Sequence, residues 1–227
     1  SSPEDMCIIS RETDHVVGLP TTMGGSGDPS KATGFGIYHG IKACCREVYG
    51  TDSLEGVRVA IQGFGKVAKY LSRHLLLENA HITVTDINKN SLNEARELGL
   101  TVINDPSLIY ELDCDVFSPC ALGATLNPNT IGRLKCKIIA GAANNQLLSE
   151  EDGDLIHSRS ILYAPDFILN AGGVINLSYE IGQTYVEKAA LQRVKKIGDT
   201  ISEIINLSHS DHISTNHAAI KYAEMHL

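Results

Sequence analysis

The chain has 227 residues, 43% of them hydrophobic, so it is long and apolar enough to bury its own core, and it carries a formal net charge of −8. Without a dense Lys/Arg block, that acidity excludes nucleic acid and anionic membrane surfaces as principal partners and favours a small polar ligand. Cys7, Cys44, Cys45, Cys114, Cys120 and Cys136 follow no metal-binding or C-x-x-C spacing, and a chain of this length needs no disulfide staples. They read as reduced thiols of a cytoplasmic protein that binds no metal. No apolar run approaches the roughly 18 residues of a membrane-spanning helix, and Ser1 to Met6 lacks the basic and apolar regions of a secretory signal.

Gly24 to Ser30 forms a Gly/Ser/Asp/Pro turn cluster, after which Lys31 to Tyr49 places apolar residues at helical spacing and stops at Gly50. Val57 to Gln62 is a short β-branched run. Glycines follow it, and Val67 to Leu77 returns to the helical period. Ile82 to Thr85 predicts a second strand ending at Asp86, Ser91 to Leu98 a helix, and Val102-Ile103 a third short strand. Cys114 to Phe117, Lys137 to Ala140 and Ile161 to Tyr163 supply further short buried runs. Strands alternating with helices predict an α/β fold: a doubly wound, mostly parallel sheet with helices on both faces. Beyond Asn170 the pattern is helical only. Gly173 to Ile181 comes first, then a long amphipathic stretch from Tyr185 to Ser208, then Ser214 to His226. Ala189, Val194, Ile197, Ile201, Ile204 and Ile205 predict one buried face on the long stretch.

Gly63-Phe64-Gly65-Lys66-Val67-Ala68 lies between the first strand and its helix, the setting in which a G-x-G-x-x-A fingerprint binds a dinucleotide. Gly63 permits the tight turn, Gly65 lets the backbone approach a pyrophosphate, and Ala68 allows close packing of helix on strand. Unpaired N–H groups at the helix start favour the phosphates. Asp86 ends the second strand at about the expected interval of 20 residues, where a carboxylate accepts from the ribose hydroxyls. This favours NAD over NADP, whose 2′-phosphate it would repel, although Lys89 softens the discrimination. Taken without the glycines, Asp86, Asn88 and Lys89 read as a plain strand-end turn. His15, His39, His74 and the C-terminal histidines stand singly and read as surface or helix-face residues.

Six further stretches occur in order over nearly the whole chain: Gly24 to Ser30, Val84 to Lys89, Pro119 to Gly123, Ala143 to Gln146, Tyr163 to Asp166, and Asn170 to Asn176. Together with the glycine motif they resemble the glutamate/leucine/phenylalanine/valine dehydrogenase family. The resemblance implies a Rossmann domain and an oxidoreductase that deaminates an L-amino acid to its 2-oxo acid and ammonia, reducing NAD⁺. It implies that Thr33 bonds the nicotinamide carboxamide, that backbone groups of Cys120 and Ala121 line the nicotinamide ribose, and that Asn170 lies beside the ring. Asn144 matches the asparagine that holds the substrate carboxylate and is counted with both the substrate and the cofactor sites. Its amide can bond a carboxylate without a counter-ion, although a lone asparagine here reads as a turn amide. Val174 and Leu177 match positions lining the substrate side chain, whereas by periodicity alone they read as helix-core residues. An apolar pair disfavours a buried γ-carboxylate and suits leucine or another branched-chain amino acid; phenylalanine stays open, because other residues also set the pocket.

The expected division is residues 1–23 as a linker from a preceding domain, 24–182 as the NAD-binding Rossmann domain, and 183–227 as C-terminal helices packing on it or bridging from it. The two lysines and the aspartate on which the family's chemistry relies match no position in this sequence, so the segment is expected to bind cofactor without turning over by itself. A homo-oligomer of the full-length enzyme is expected. The alternatives are a phenylalanine or glutamate dehydrogenase of the same family, and a non-catalytic regulatory module that binds NAD(H).

Overall fold

The computed structural model describes residues 2–226. Six strands form one sheet: β1 (Arg58–Gln62), β2 (His81–Thr85), β3 (Thr101–Val102), β4 (Val116–Pro119), β5 (Ile138–Ile139) and β6 (Leu162–Tyr163). Their order is β3-β2-β1-β4-β5-β6 and every neighbouring pair is parallel. The described helices are α1 (Pro3–Ile9), α2 (Ser30–Tyr49), α3 (Lys66–Leu77), α4 (Lys89–Glu97), α5 (Pro128–Ile131), α6 (Glu150–Ser158), α7 (Asp166–Leu169), α8 (Gly172–Ser178), α9 (Glu187–Lys195), α10 (Ile197–Asp211) and α11 (Thr215–Glu224). The expected doubly wound α/β sheet is present. The strand order reverses between β1 and β4, so the chain leaves their carboxyl ends in opposite directions and a crevice opens there.

The strands read as unbroken apolar runs because both faces are covered. Val59 and Ile61 point into one core, formed with α2, α3 and α10, while Ala60 points into the other, formed with α5, α6 and a 3₁₀ turn at Pro106–Glu111. Val116 and Phe117 divide in the same way, as do Ile138 and Ile139. Gly50 closes α2 in the left-handed conformation at φ 73°, as its position after the last apolar residue foretold.

The C-terminal region differs from expectation in two respects. The stretch from Tyr185 to Ser208 is not one helix: α9 and α10 meet at Lys196, just before Gly198, where a Cβ would lie 3.0 Å from the His39 carbonyl of α2. Ala189 is half-buried, and the buried position is Ala190. Counting back from Ile197 at helical spacing lands on Val194 and then Ala190, so the true stripe is one residue out of phase with Ala189.

Residues 2–23 carry α1, which is capped reciprocally by Ser2 and Asp5 and buries no residue, and a 3₁₀ turn at Thr21–Met23. Beyond α8, the Glu180 carboxylate accepts from the backbone N–H groups of Gly18 at 3.0 Å and Ser26 at 2.9 Å and from the Ser26 hydroxyl. This fastens the segment leading into α2 onto the end of α8. All six cysteines are free, and no described helix is long and apolar enough to cross a membrane.

Candidate functional site

The glycine turn sits at the crevice. Gly63 has φ 91°, which only glycine adopts without strain, and a Cβ there would lie 2.8 Å from the Ala121 Cβ and 2.9 Å from its nitrogen. The end of β1 can therefore approach the end of β4 only through a residue without a side chain. Gly65 is different. Its φ of −78° suits any residue, and the space where its Cβ would project holds no atom within 4 Å. It is the N-cap of α3 and offers no side-chain cap, so the first N–H groups of that helix face open space beside it. An anion fits that arrangement.

The other residues of the motif have separate duties. The Phe64 side chain is fully buried in the core and only its backbone belongs to the turn; Ala68 is buried on the core-facing side of α3, with Val67 partly buried beside it. Lys66 extends into solvent and pairs with Asp28 at 2.9 Å. Burial of Asp28 opposes its ionisation, but bonds from Ser30 and the Lys66 ammonium hold its carboxyl below the usual range, and Asp28 in turn raises Lys66.

Asp86 turns inward. Its carboxylate accepts from the Phe64 N–H at 2.6 Å and from the Asn88 N–H at 2.7 Å, which holds the glycine turn against the end of β2. Beside it a cleft of about 300 Å³ is walled by Gly63, Asp86, Ile87, Pro106, Ala121 and Leu122. Ile87 and Leu122 are 90% and 80% exposed, so two apolar side chains face solvent where a flat aromatic group could slide between them. Gln62, Tyr110 and Thr125 close a triangle of hydrogen bonds of 2.6 to 2.9 Å at the end of β1.

On the far side of the crevice Cys120 follows β4, with its N–H donating to the Gln62 carbonyl at 2.7 Å. Asn170 Nδ2 donates to Asn144 Oδ1 at 2.7 Å, so two asparagines 26 positions apart in sequence meet side chain to side chain. Their loops are held by Asp166, 8% exposed, whose carboxylate accepts from the Asn145 N–H at 2.6 Å and from the Tyr163 hydroxyl at 2.9 Å. Asn145 takes φ 52°, a left-handed conformation that asparagine tolerates. The Asp166 carbonyl also accepts from the Asn170 N–H at 2.9 Å, so one residue fastens both asparagines. Burial and the adjacent Asp166 push the Tyr163 hydroxyl upward, which keeps it a donor.

Thr33 lies in the first turn of α2, its hydroxyl bonded to the Pro29 carbonyl. A Cβ on Gly172 would lie 2.4 Å from the Ala32 carbonyl oxygen, and one on Gly173 would lie 2.7 Å from Thr33 Oγ1. These two glycines seat α8 directly on the start of α2. Val174, in α8, is 73% exposed and so is no core residue; Leu177 is half-buried and packs toward Gly18. Sequence reasoning passed over Asp166, Tyr163 and Glu180 as functional positions. An acidic residue directly after a buried strand and a proline was a signal for Asp166; Glu180 carried none.

A sequence profile described as glutamate/leucine/phenylalanine/valine dehydrogenase matches residues 24–100 and 85–225. The chain belongs to that family. Leucine dehydrogenase from Bacillus cereus is 49% identical to it over 222 residues, covering 97% of this chain and 60% of that protein. The chain therefore spans less than two thirds of the relative's length. The crystal structure of L-tryptophan dehydrogenase from Nostoc punctiforme superposes with a TM-score of 0.83 at 42% identity, covering 87% of this chain and 60% of that one. The hetero-hexameric glutamate dehydrogenase from Thermus thermophilus, at 19% identity, TM-score 0.74, and coverage of 90% and 53%, shares the fold.

Proposed function

We propose that this chain is the NAD(H)-binding part of an amino acid dehydrogenase that deaminates leucine or another branched-chain L-amino acid to the 2-oxo acid and ammonia. The observation that carries the reading is the open cradle at Gly65, an uncapped helix start beside an apolar-walled cleft at the point where the strand order reverses. A dinucleotide fits these residues. The start of α3 and Lys66 would hold the pyrophosphate, Asp86 the adenosine ribose, and Ile87 and Leu122 the adenine. Thr33, Cys120, Ala121 and Asn170 would hold the nicotinamide half. When bound, the cofactor supplies the hydride acceptor.

The paired amides of Asn144 and Asn170 are a neutral site in which the Asn144 NH₂ can donate to a carboxylate, and the exposed Val174 offers an apolar contact to the substrate side chain. Two neutral amides and an apolar valine offer no charge to a second carboxylate, which favours an aliphatic substrate over glutamate. The relative named leucine dehydrogenase supports the same choice; the one named L-tryptophan dehydrogenase keeps an aromatic substrate as the second reading. Among the described residues every lysine is exposed or half-exposed, and the two least exposed, Lys42 and Lys69, are paired with Glu78 and Glu94. None is set as a general base. The free thiols suit a reducing, cytoplasmic setting, and a homo-oligomer of the full-length enzyme accords with the family.

The test is a titration of the purified chain with NADH, followed by an assay of L-leucine-dependent NAD⁺ reduction with L-tryptophan, L-phenylalanine and L-glutamate beside it. Binding without turnover is expected of this segment. Failure to bind NADH would overturn the reading; turnover would reveal a base within these residues.

A further inference from the structure

The starts of α2 and α3 are joined by the Asp28–Lys66 pair, and both helix starts favour negative charge. The charge there is supplied by the protein itself. Asp28, just before α2, accepts from the Ser30 N–H at 2.9 Å with Oδ1 and from Lys66 Nζ at 2.9 Å with Oδ2. Lys66 is the first residue of α3, next to the open cradle at Gly65, and Asp28 is its only carboxylate partner among the described residues. A pyrophosphate settling on the start of α3 brings two negative charges close to this pair. It competes with the aspartate for the charge of that lysine.

We infer that Asp28 and Lys66 form a charge latch that sets the affinity for the dinucleotide: Asp28 holds the lysine until the pyrophosphate of the cofactor displaces it. The inference rests on the dinucleotide reading of the site. Asp28 competes with the pyrophosphate for the ammonium in the bound state and reclaims it on departure, which speeds release. The pair is largely open to solvent, with the Lys66 side chain 64% exposed, so its influence is modest and screened by salt. Asp28→Asn removes the competing charge yet keeps a side-chain oxygen that can accept from the Ser30 N–H, so the fold is retained.

The experiment is an NADH titration of the unaltered chain, Asp28→Asn, Lys66→Gln and the double variant, at low salt and again at about 0.5 M salt, where the Debye length has fallen to about 4 Å. Asp28→Asn is expected to tighten NADH binding by roughly 1.5- to fivefold at low salt, the range of an exposed charge pair, and less at high salt. Lys66→Gln weakens binding, and adding Asp28→Asn to it changes little. A dissociation constant unmoved by Asp28→Asn overturns the latch. So does an equal tightening in the Lys66→Gln background, which would make Asp28 a simple repulsive charge. If neither the unaltered chain nor Gly65→Val binds NADH, the dinucleotide reading falls and the latch falls with it; binding lost only in Gly65→Val, with Asp28→Asn inert, removes the latch alone.

Discussion

The two glycines of the turn look equivalent in the sequence and are not equivalent in the fold, so they should fail in different ways. Gly63→Ala forces a Cβ to within 2.9 Å of the Ala121 backbone at a φ of 91°. Strain from a left-handed non-glycine residue costs about 1–3 kcal/mol. Overpacking against a neighbour that cannot yield costs about as much again. A total of about 3 kcal/mol lowers the melting temperature of a chain this size by roughly 6–12 °C. Gly65→Val meets nothing within 4 Å and keeps an ordinary φ. Its loss as an N-cap costs about 1 kcal/mol, offset in part by about 0.4–1 kcal/mol from restricting the unfolded chain. Melting should therefore move by no more than a few degrees, while NADH affinity falls at least about tenfold, or 1.4 kcal/mol. Circular dichroism melts and NADH fluorescence titrations of both variants decide the matter. If Gly65→Val melts as early as Gly63→Ala, Gly65 is a packing residue. If it binds NADH normally, no pyrophosphate approaches that cradle.

Asp86→Ala should weaken NADH more than NADPH, measured as the ratio of dissociation constants; equal losses would take Asp86 away from the ribose. Asp166→Ala leaves the Asn145 N–H and the Tyr163 hydroxyl without their acceptor, at about 1–3 kcal/mol for each buried group. Its melting temperature should fall well below that of Asp166→Asn, which retains one acceptor, and comparable melts would show that the asparagine loops do not depend on the carboxylate. His39 is held neutral by burial, with help from the charges of Lys195 and Lys42, and its pKa is lowered to about 4. The unfolded chain takes up that proton near pH 6.5 and the folded chain only near 4, so stability present above 6.5 is lost as the pH falls across that window. Melting temperature should drop between pH 6.5 and 4.5, before most carboxylates titrate, and His39→Gln should flatten that slope; an unchanged slope would assign it to other groups.

Much of the candidate site was legible because its parts are local. The glycine motif, its strand and its helix occupy one stretch of chain, and Asp86 follows at a fixed interval, so spacing alone marked them. The helix running to Tyr49 ended where Gly50 ended the apolar period. The Asn144–Asn170 pair was reachable only through resemblance, since no period links residues 26 apart, and the carboxylate that fastens their loops became visible only once β6 and α7 were folded together. The break at Lys196 escaped for a related reason: the apolar spacing runs through it, and the departure from one straight helix comes where Gly198 meets the surface of α2.

By itself, then, the sequence determined the order of the six strands along the chain, the helices that follow the first two of them, and that the sheet is parallel and covered on both faces. Periodicity, turn residues and a contiguous motif are encoded within a few positions of one another. Only the tertiary structure decided why each glycine is needed, that Asp86 turns onto the glycine turn, that Asp28 reaches Lys66, and that Glu180 fastens the segment before α2. Those contacts join residues brought together by the order of strands and the packing of helices. Their energies depend on distances that no local pattern carries.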